Sequence, residues 1–450
     1  MGKRHLRLPV LILVAVLIFA AAGCAAEEEA APTDESEPEE SAEPEESAEP
    51  EETGRSDELI IGKGQDPTTL DPAVTMTNND WSITYPAYER LVEYTVEGGV
   101  GTTNVQGQLA SGWDVSEDGL EWTFLLNEGH KFTDGSPVNA EAVKFSFDRL
   151  MAMQQGPLGA FPSLEATEVV GEYEVKFVLN DVFPPFLFTL ANNGAAIVNP
   201  AVMEHEVDGD MAETYLSENT AGSGPYHLVD WQKGQYVRLE PNPHYSGPAP
   251  AFSVVTIKII KEASAQRMQL EKGDIDIAEN IPLDQLAQLE GREGIRIDEY
   301  PSFSVCYLYL NNEREPLDDP RVRKALSHAV DYEAIIDGIM LGKATQMRGP
   351  VPEGMWSHDP NVFQFSRDLD QAETLLEEAG YADGLTIGYL YSDSSPEWEA
   401  IGLAVQGNLS DIGVNVEMQR YAYATMRDML DRGEFDLAVG NWVLNCIPIR

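Results

Sequence analysis

From residue 385 onward the chain alternates short apolar runs with longer amphipathic ones, and that alternation restricts the fold more than any other feature. Residues 385–390, 414–418 and 435–439 read as strands, and 396–412 and 423–432 read as helices. Strands and helices in strict turn, joined by short links, predict a sheet with helices on both faces. The expected class is α/β. Just upstream, Asp319 and Pro320 supply an N-cap and a first-turn proline to a helix with Val322, Ala325, Leu326 and Ala329 on one face. Asp331 caps a short helix containing Ile335 and Ile336. Asp370 is expected to cap the next, with Ala372, Leu375, Leu376 and Ala379 in a stripe and Gly380 as its stop.

The first half carries the same signals more sparsely. Strands are expected at 59–61, 122–126, 175–179, 236–239 and 254–260. Asn139 is placed to cap a helix whose Val143, Phe147 and Leu150 share a face. Asp274 and Asp276 alternate with isoleucines, as on a strand with one wet side. Prolines at 184–185, 241–243 and 248–250 mark loops. The Gly62-Lys63-Gly64 step lacks a third glycine, and Pro67 and Pro72 interrupt the stretch after it, so it is not read as a nucleotide loop.

The N-terminus is an export signal in composition. Lys3, Arg4 and Arg7 precede a 13-residue apolar run, 10–22. That run is shorter than the ~20 residues a membrane-spanning helix requires. It ends in Ala21-Ala22-Gly23-Cys24, which resembles the bacterial lipobox and implies removal of 1–23 with a lipid on the Cys24 sulfur. Residues 27–58 then hold 16 acidic residues, one arginine and no aromatic, with Ser-Ala-Glu-Pro-Glu-Glu at 41–46 repeated at 47–52. Such a stretch cannot bury enough apolar surface to offset the chain entropy lost on ordering. The 24–58 segment is expected to be a disordered acidic tether behind a lipidated Cys24. Fully stretched, its 27–58 part reaches roughly 105 Å at about 3.3 Å per residue.

The whole chain carries −48, the leader +3 and the acidic run −15, which leaves −36 on residues 59–450. A surface this negative repels phosphate backbones, so nucleic acid is excluded as a partner. The 392 residues of that portion exceed one ordinary core and predict two or three domains. Beyond Cys24 there are only Cys306 and Cys446, which either pair or leave Cys306 as a buried free thiol in its apolar stretch. There is no Gly-x-Ser-x-Gly elbow, no His-Glu-x-x-His and no Cys-x-x-Cys, and the histidines lack ligand spacing. The expected function is therefore not catalytic, and no metal or cofactor is expected.

A series of motifs runs along the chain in order. It comprises Leu70-Asp71-Pro72, the 109–119 stretch with Leu109, Ala110 and Trp113, the 124–143 stretch from Phe124 through Thr133-Asp134-Gly135 to Val143, and Gly222-Ser223-Gly224-Pro225-Tyr226. Gly273-Asp274-Ile275-Asp276-Ile277, the 319–326 stretch and Leu375-Leu376-Glu377-Glu378-Ala379-Gly380 complete it. The ordered set resembles the extracellular solute-binding proteins of peptide and nickel ABC importers. That resemblance implies a type II periplasmic-binding-protein-like fold, with two lobes, a hinge and an extra domain in the first lobe. Lobe one is expected at 59–82 and 180–285, the extra domain at 83–179 and lobe two at 286–450.

The implied function is capture of dipeptides or oligopeptides outside the cell membrane and delivery to ABC permease subunits, by a monomer held through its lipid anchor. The same scaffold serves nickel chelates, oligosaccharides and other small solutes, or a ligand sensor, and these stand as alternatives. In peptide-binding relatives a Trp-x-x-Asp segment supplies a carboxylate to the peptide amine. Here it is matched by Trp442-Val443-Leu444-Asn445, so an amide stands where an acid would neutralise the ammonium. Trp442 is either an aromatic wall of the groove or a core ring. Trp81, Tyr85 and Tyr391 follow strands and are further candidates for ligand contact, as the ring of Trp398 is for stacking. Relatives continue for some tens of residues past the equivalent of Arg450, so lobe two is expected to be incomplete as written.

The lipobox reading is checked by detergent-phase partitioning after expression in a bacterial host. The wild-type chain should enter the detergent phase, and Cys24→Ser should move it to the aqueous phase.

Overall fold

The structure, a computed structural model, describes residues 57–98, 100–279, 281–300, 302–355, 357–392 and 395–443. Cys24, the acidic run to 56, Asn445 and Cys446 lie outside them.

The described chain opens with β1 (Glu58–Lys63), a turn-rich loop and α1 (Asn78–Ala87). A separate ribbon, β2 (Val92–Glu97) and β3 (Val100–Gly107), comes next. β4 (Ala110–Val115), β5 (Glu121–Leu126), α2 (Ala140–Met153), β6 (Leu164–Gly171) and β7 (Glu174–Leu179) then make an antiparallel sheet in the order β4-β5-β7-β6. Two short helices, α3 (Phe186–Thr189) and α4 (Glu213–Leu216), lead to β8 (Tyr226–Gln232), β9 (Tyr236–Pro241) and β10 (Val254–Ile259). With α5 (Ala263–Lys272) and β11 (Ile277–Ala278) these return to the first strand, giving a sheet ordered β11-β1-β10-β9-β8. In it β1 is parallel to both β10 and β11.

After α6 (Leu283–Leu286) a second α/β unit begins. It contains β12 (Ser304–Leu310), α7 (Pro320–Ala329), α8 (Tyr332–Gly338), α9 (Leu369–Ala379), β13 (Leu385–Ser392), α10 (Pro396–Ser410), β14 (Val414–Tyr421), α11 (Tyr423–Asp431) and β15 (Leu437–Val443). Its sheet runs β12-β15-β13-β14, with β13 parallel to its two neighbours and β12 antiparallel to β15. The crossover helices that parallel strands require are α10 and α11.

Local chemistry explains most of these boundaries. Asn139 accepts a hydrogen bond from the Ala142 amide at 3.1 Å and starts α2, whose Val143, Phe147 and Leu150 are buried. Asp319 accepts from the Arg321 amide at 2.8 Å and starts α7, whose Val322, Ala325, Leu326 and Ala329 are buried. The cap of α9 is Asp368, not the expected Asp370: Asp368 accepts from the Gln371 amide, and Asp370 sits in the first turn. Both are acidic and favour the positive end of the helix, so composition alone does not separate them. Gly380 closes α9 at φ 92°, in the left-handed region that glycine enters without a steric penalty.

The strand expected from the Asp274/Asp276 alternation is mostly not one. Only Ile277–Ala278 join a ladder, Ile275 is buried and Ile277 is exposed. The Asp276 carboxylate takes the Ile60 amide at 2.8 Å, a side-chain bond where a ladder bond was expected. Cys306 also departs from expectation: its side chain is exposed, on β12 at the edge of its sheet, although the protein around it pushes its thiol pKa up to about 11 by desolvation.

One buried ion pair ties α2 to the loop after β1. The Arg149 guanidinium forks onto Asp71 at 2.7 and 2.5 Å and donates from Nε to the Met211 carbonyl at 2.7 Å. Both side chains are essentially inaccessible to solvent. Nearby, buried Glu89 accepts from His130 at 3.1 Å, and that bond raises the histidine pKa.

Removing one partner of the buried pair leaves the other charge stranded, so Arg149→Met should cost about 3–5 kcal/mol in urea unfolding. The double change Arg149→Met with Asp71→Leu should recover most of it. For His130 the folded pKa lies above the unfolded one, so its stabilisation is complete below about 6.5 and is lost as pH rises through the folded value. His130→Asn should flatten stability against pH across that window in the same titration.

Candidate functional site

In α/β sheets ligands collect beyond the carboxyl ends of parallel strands, where the ladder stops and the loops are free to vary. Both mixed sheets offer such an edge. In the first it is formed by the ends of β1, β10 and β11. Lys63, buried at the end of β1, reaches Glu279 just past β11 at 3.0 Å. The loop that leaves this edge, 66–77, is held from below by Asp80. That carboxylate is fully buried and accepts from the Thr68 amide (2.7 Å), the Thr68 hydroxyl (2.9 Å) and the Thr75 hydroxyl (2.7 Å). Thr77 caps α1 by accepting from the Asp80 amide. Asp66 turns the other way, onto the Trp231 indole at 2.9 Å and the Gly234 amide.

The Gly222-Ser223-Gly224 turn lies against the end of α1. A Cβ on Gly222 would stand 2.1 Å from the Ala87 carbonyl oxygen, and one on Gly224 2.4 Å from that of Pro86. Only glycine permits this approach, which accounts for the motif physically.

In the second sheet the corresponding edge is made by Ser392, the start of α10, Tyr421 and the start of α11, and the last residues of β15. Trp398, on the first turn of α10 and largely buried, donates its indole N–H to the Asn441 side-chain oxygen at 3.2 Å. Its ring lies beside that of Tyr423, 6.4 Å between centroids, and Tyr423 is exposed. Asn441 is exposed and lies opposite Cys306 on β12.

The residues expected to touch ligand fall in different surroundings. Tyr391 is buried beside Tyr389, with its hydroxyl 3.3 Å from Glu399; burial first, and then the Glu399 charge, raises its pKa. Trp81 and Tyr85 stand one turn apart on α1 with their rings edge to face at 6.5 Å. Tyr85 is exposed, and the buried Arg90 guanidinium lies 4.0 Å from its ring centre. The backbone of Trp442 belongs to β15 and pairs with Val305. Asn445 lies outside the described residues. The Trp398–Asn441 contact and the Asp80 support are additional, and no motif singled out Asn441 or Asp80.

Two α/β sheets presenting parallel strand ends, joined through the stretch between α6 and β12, define a solute-binding protein of the type II periplasmic fold. The chain belongs to the bacterial extracellular solute-binding proteins, family 5, whose middle-region model matches residues 104–448. It is 49% identical over 386 residues to the Escherichia coli protein named "Probable D,D-dipeptide-binding periplasmic protein DdpA", covering 86% of this chain and 74% of that one. A second Escherichia coli relative, named "Dipeptide-binding protein", is 29% identical over 380 residues, covering 79% and 70%. Among solved structures, the periplasmic binding protein DppA from Helicobacter pylori in complex with the peptide STSA superposes with a TM-score of 0.74 at 26% identity, covering 86% of this chain and 78% of that one. No helix among the described residues is long and apolar enough to cross a membrane.

Because Asp80 holds the 66–77 loop at the sheet edge, Asp80→Ala should weaken ligand capture roughly tenfold, the scale of a lost hydrogen bond to a charged group. Thr75→Val, which removes one of the three donors, should give a smaller loss. Titration calorimetry beside thermal melts of the same variants checks the ordering.

Proposed function

We propose that this protein captures short peptides, dipeptides foremost, outside the cytoplasmic membrane and passes them to an ABC permease. The observation that carries the reading is the 49% identity, sustained over 86% of the chain, to a relative named as a probable D,D-dipeptide-binding protein. The D,D-dipeptides named for that relative are the first candidates. In this reading residues 59–82 and 180–285 form lobe one, 83–179 its extra domain and 286–450 lobe two. A ligand touching both lobes favours the closed arrangement, because only there are all its contacts made at once.

Trp442 and Asn445, with Trp81 and Tyr85, are the contacts this reading proposes. An amide at 445 holds an ammonium less firmly than a carboxylate, so affinity for a free amine should be modest. Lipid on Cys24 and the acidic tether keep the binder near its permease and raise its effective concentration there. The protein has no catalytic task in this scheme and works as a monomer.

Calorimetry with D-alanyl-D-alanine, L-alanyl-L-alanine and longer peptides tests the assignment. Binding of at least one dipeptide, with a decrease in radius of gyration by X-ray scattering, is expected. Absence of heat with every peptide, together with a sugar or nickel chelate recovered from the purified protein, overturns it.

A further inference from the structure

The Trp398–Asn441 contact has a direction that chemistry imposes. An indole nitrogen donates one hydrogen bond and accepts none. The Asn441 atom facing it at 3.2 Å is therefore the carboxamide oxygen, and the NH₂ is turned to the other side. Trp398 is itself fixed: its indole is largely buried, and its backbone carbonyl accepts from the Tyr389 hydroxyl at 3.0 Å. Asn441 is exposed. β15 pairs in parallel with β13 at Tyr389 and Leu390, so Asn441, three residues past Ala438, stands beyond the carboxyl end of β13. That is the edge at which a ligand enters an α/β sheet. An oriented pair of N–H donors is thus presented there, one end held and the other open.

We infer that Asn441 is a specificity-determining residue of the cleft, its carboxamide nitrogen held outward by Trp398 to donate a hydrogen bond to a carbonyl or carboxylate oxygen of the ligand. Trp398 is the positioning residue. The inference rests on the sheet edge described above and on the peptide reading, since a peptide supplies such oxygens at every unit and at its C-terminus. With the amide locked, the site rejects a hydrogen-bond donor at that point, because two donors would then face each other unpaired.

The test uses the full chain, calorimetry, and D-alanyl-D-alanine and L-alanyl-L-alanine as probes, each as free acid and as C-terminal amide. Asn441→Asp keeps an oxygen for the Trp398 indole but replaces the outward donor with an acceptor. It should weaken the better-bound free acid roughly tenfold or more, the range for losing a hydrogen bond to a charged partner. A drop confined to the free acids places the carboxylate at Asn441; an equal drop for acids and amides places a peptide carbonyl there. Trp398→Phe frees the amide and should weaken binding about threefold, the scale of one neutral hydrogen bond. That loss should vanish in an Asn441→Ala background, which a merely structural effect of the tryptophan would not do.

Unchanged or tighter binding by Asn441→Asp overturns the inference while leaving peptide capture intact. A Trp398→Phe loss that persists undiminished beside Asn441→Ala overturns the positioning role. Failure of the wild-type chain to bind any of the four probes overturns this inference together with the dipeptide assignment.

Discussion

The fork of Arg149 onto Asp71 joins parts of the chain far apart in sequence, and it anchors the loop that leaves β1. Asp71 belongs to the loop leaving β1, and Arg149 to the helix that packs on the antiparallel sheet. Taking both charges out of water is costly, and the cost is offset only because two parallel hydrogen bonds and a third to the Met211 carbonyl satisfy the guanidinium. A few residues on, Asp80 gathers Thr68 and Thr75 from the same loop. Two buried carboxylates thus set the backbone at the carboxyl end of β1. A loop held in this way presents its groups in one arrangement, which lowers the ordering cost that binding otherwise carries.

The first half of the second α/β unit was legible in the sequence because the helices α7, α8 and α9 are each capped by an aspartate, and in α7 and α9 an apolar stripe follows. α7 and α9 show this directly, even though the cap of α9 lay two residues from where it was expected. The first unit was harder. The residues α1 buries are Asp80, Ile83, Thr84 and Ala87, so its inward face carries polar groups and gives no apolar period. The ribbon of β2 and β3 is rich in threonine and exposed residues, and it buries little that a pattern could report. The 273–277 alternation suggested a strand, but the ladder is confined to Ile277 and Ala278, and at Asp276 the side chain as well as the backbone amide bonds Ile60.

For the candidate site the sequence offered proposals. Family motifs led to Trp442 and Asn445, and position after strands led to Trp81, Tyr85 and Tyr391. Asn441 could not be found this way, because its meaning comes from an indole 43 residues earlier in the chain. Neither residue type is diagnostic alone; the donor-only chemistry of one gives the other a direction. Asp80 was hidden for a related reason. One acidic residue in a chain with 77 is invisible until its burial and three donors are known.

Cys306 shows that access and reactivity are separate properties. Its side chain meets solvent, yet desolvation by the protein around it raises its pKa to about 11 and favours the protonated sulfur. Thiolate is the attacking species in disulfide exchange and oxidation, and a raised pKa leaves little of it at neutral pH. A sulfur so placed is less ready to exchange with a disulfide than the same thiol in open water, although solvent reaches it.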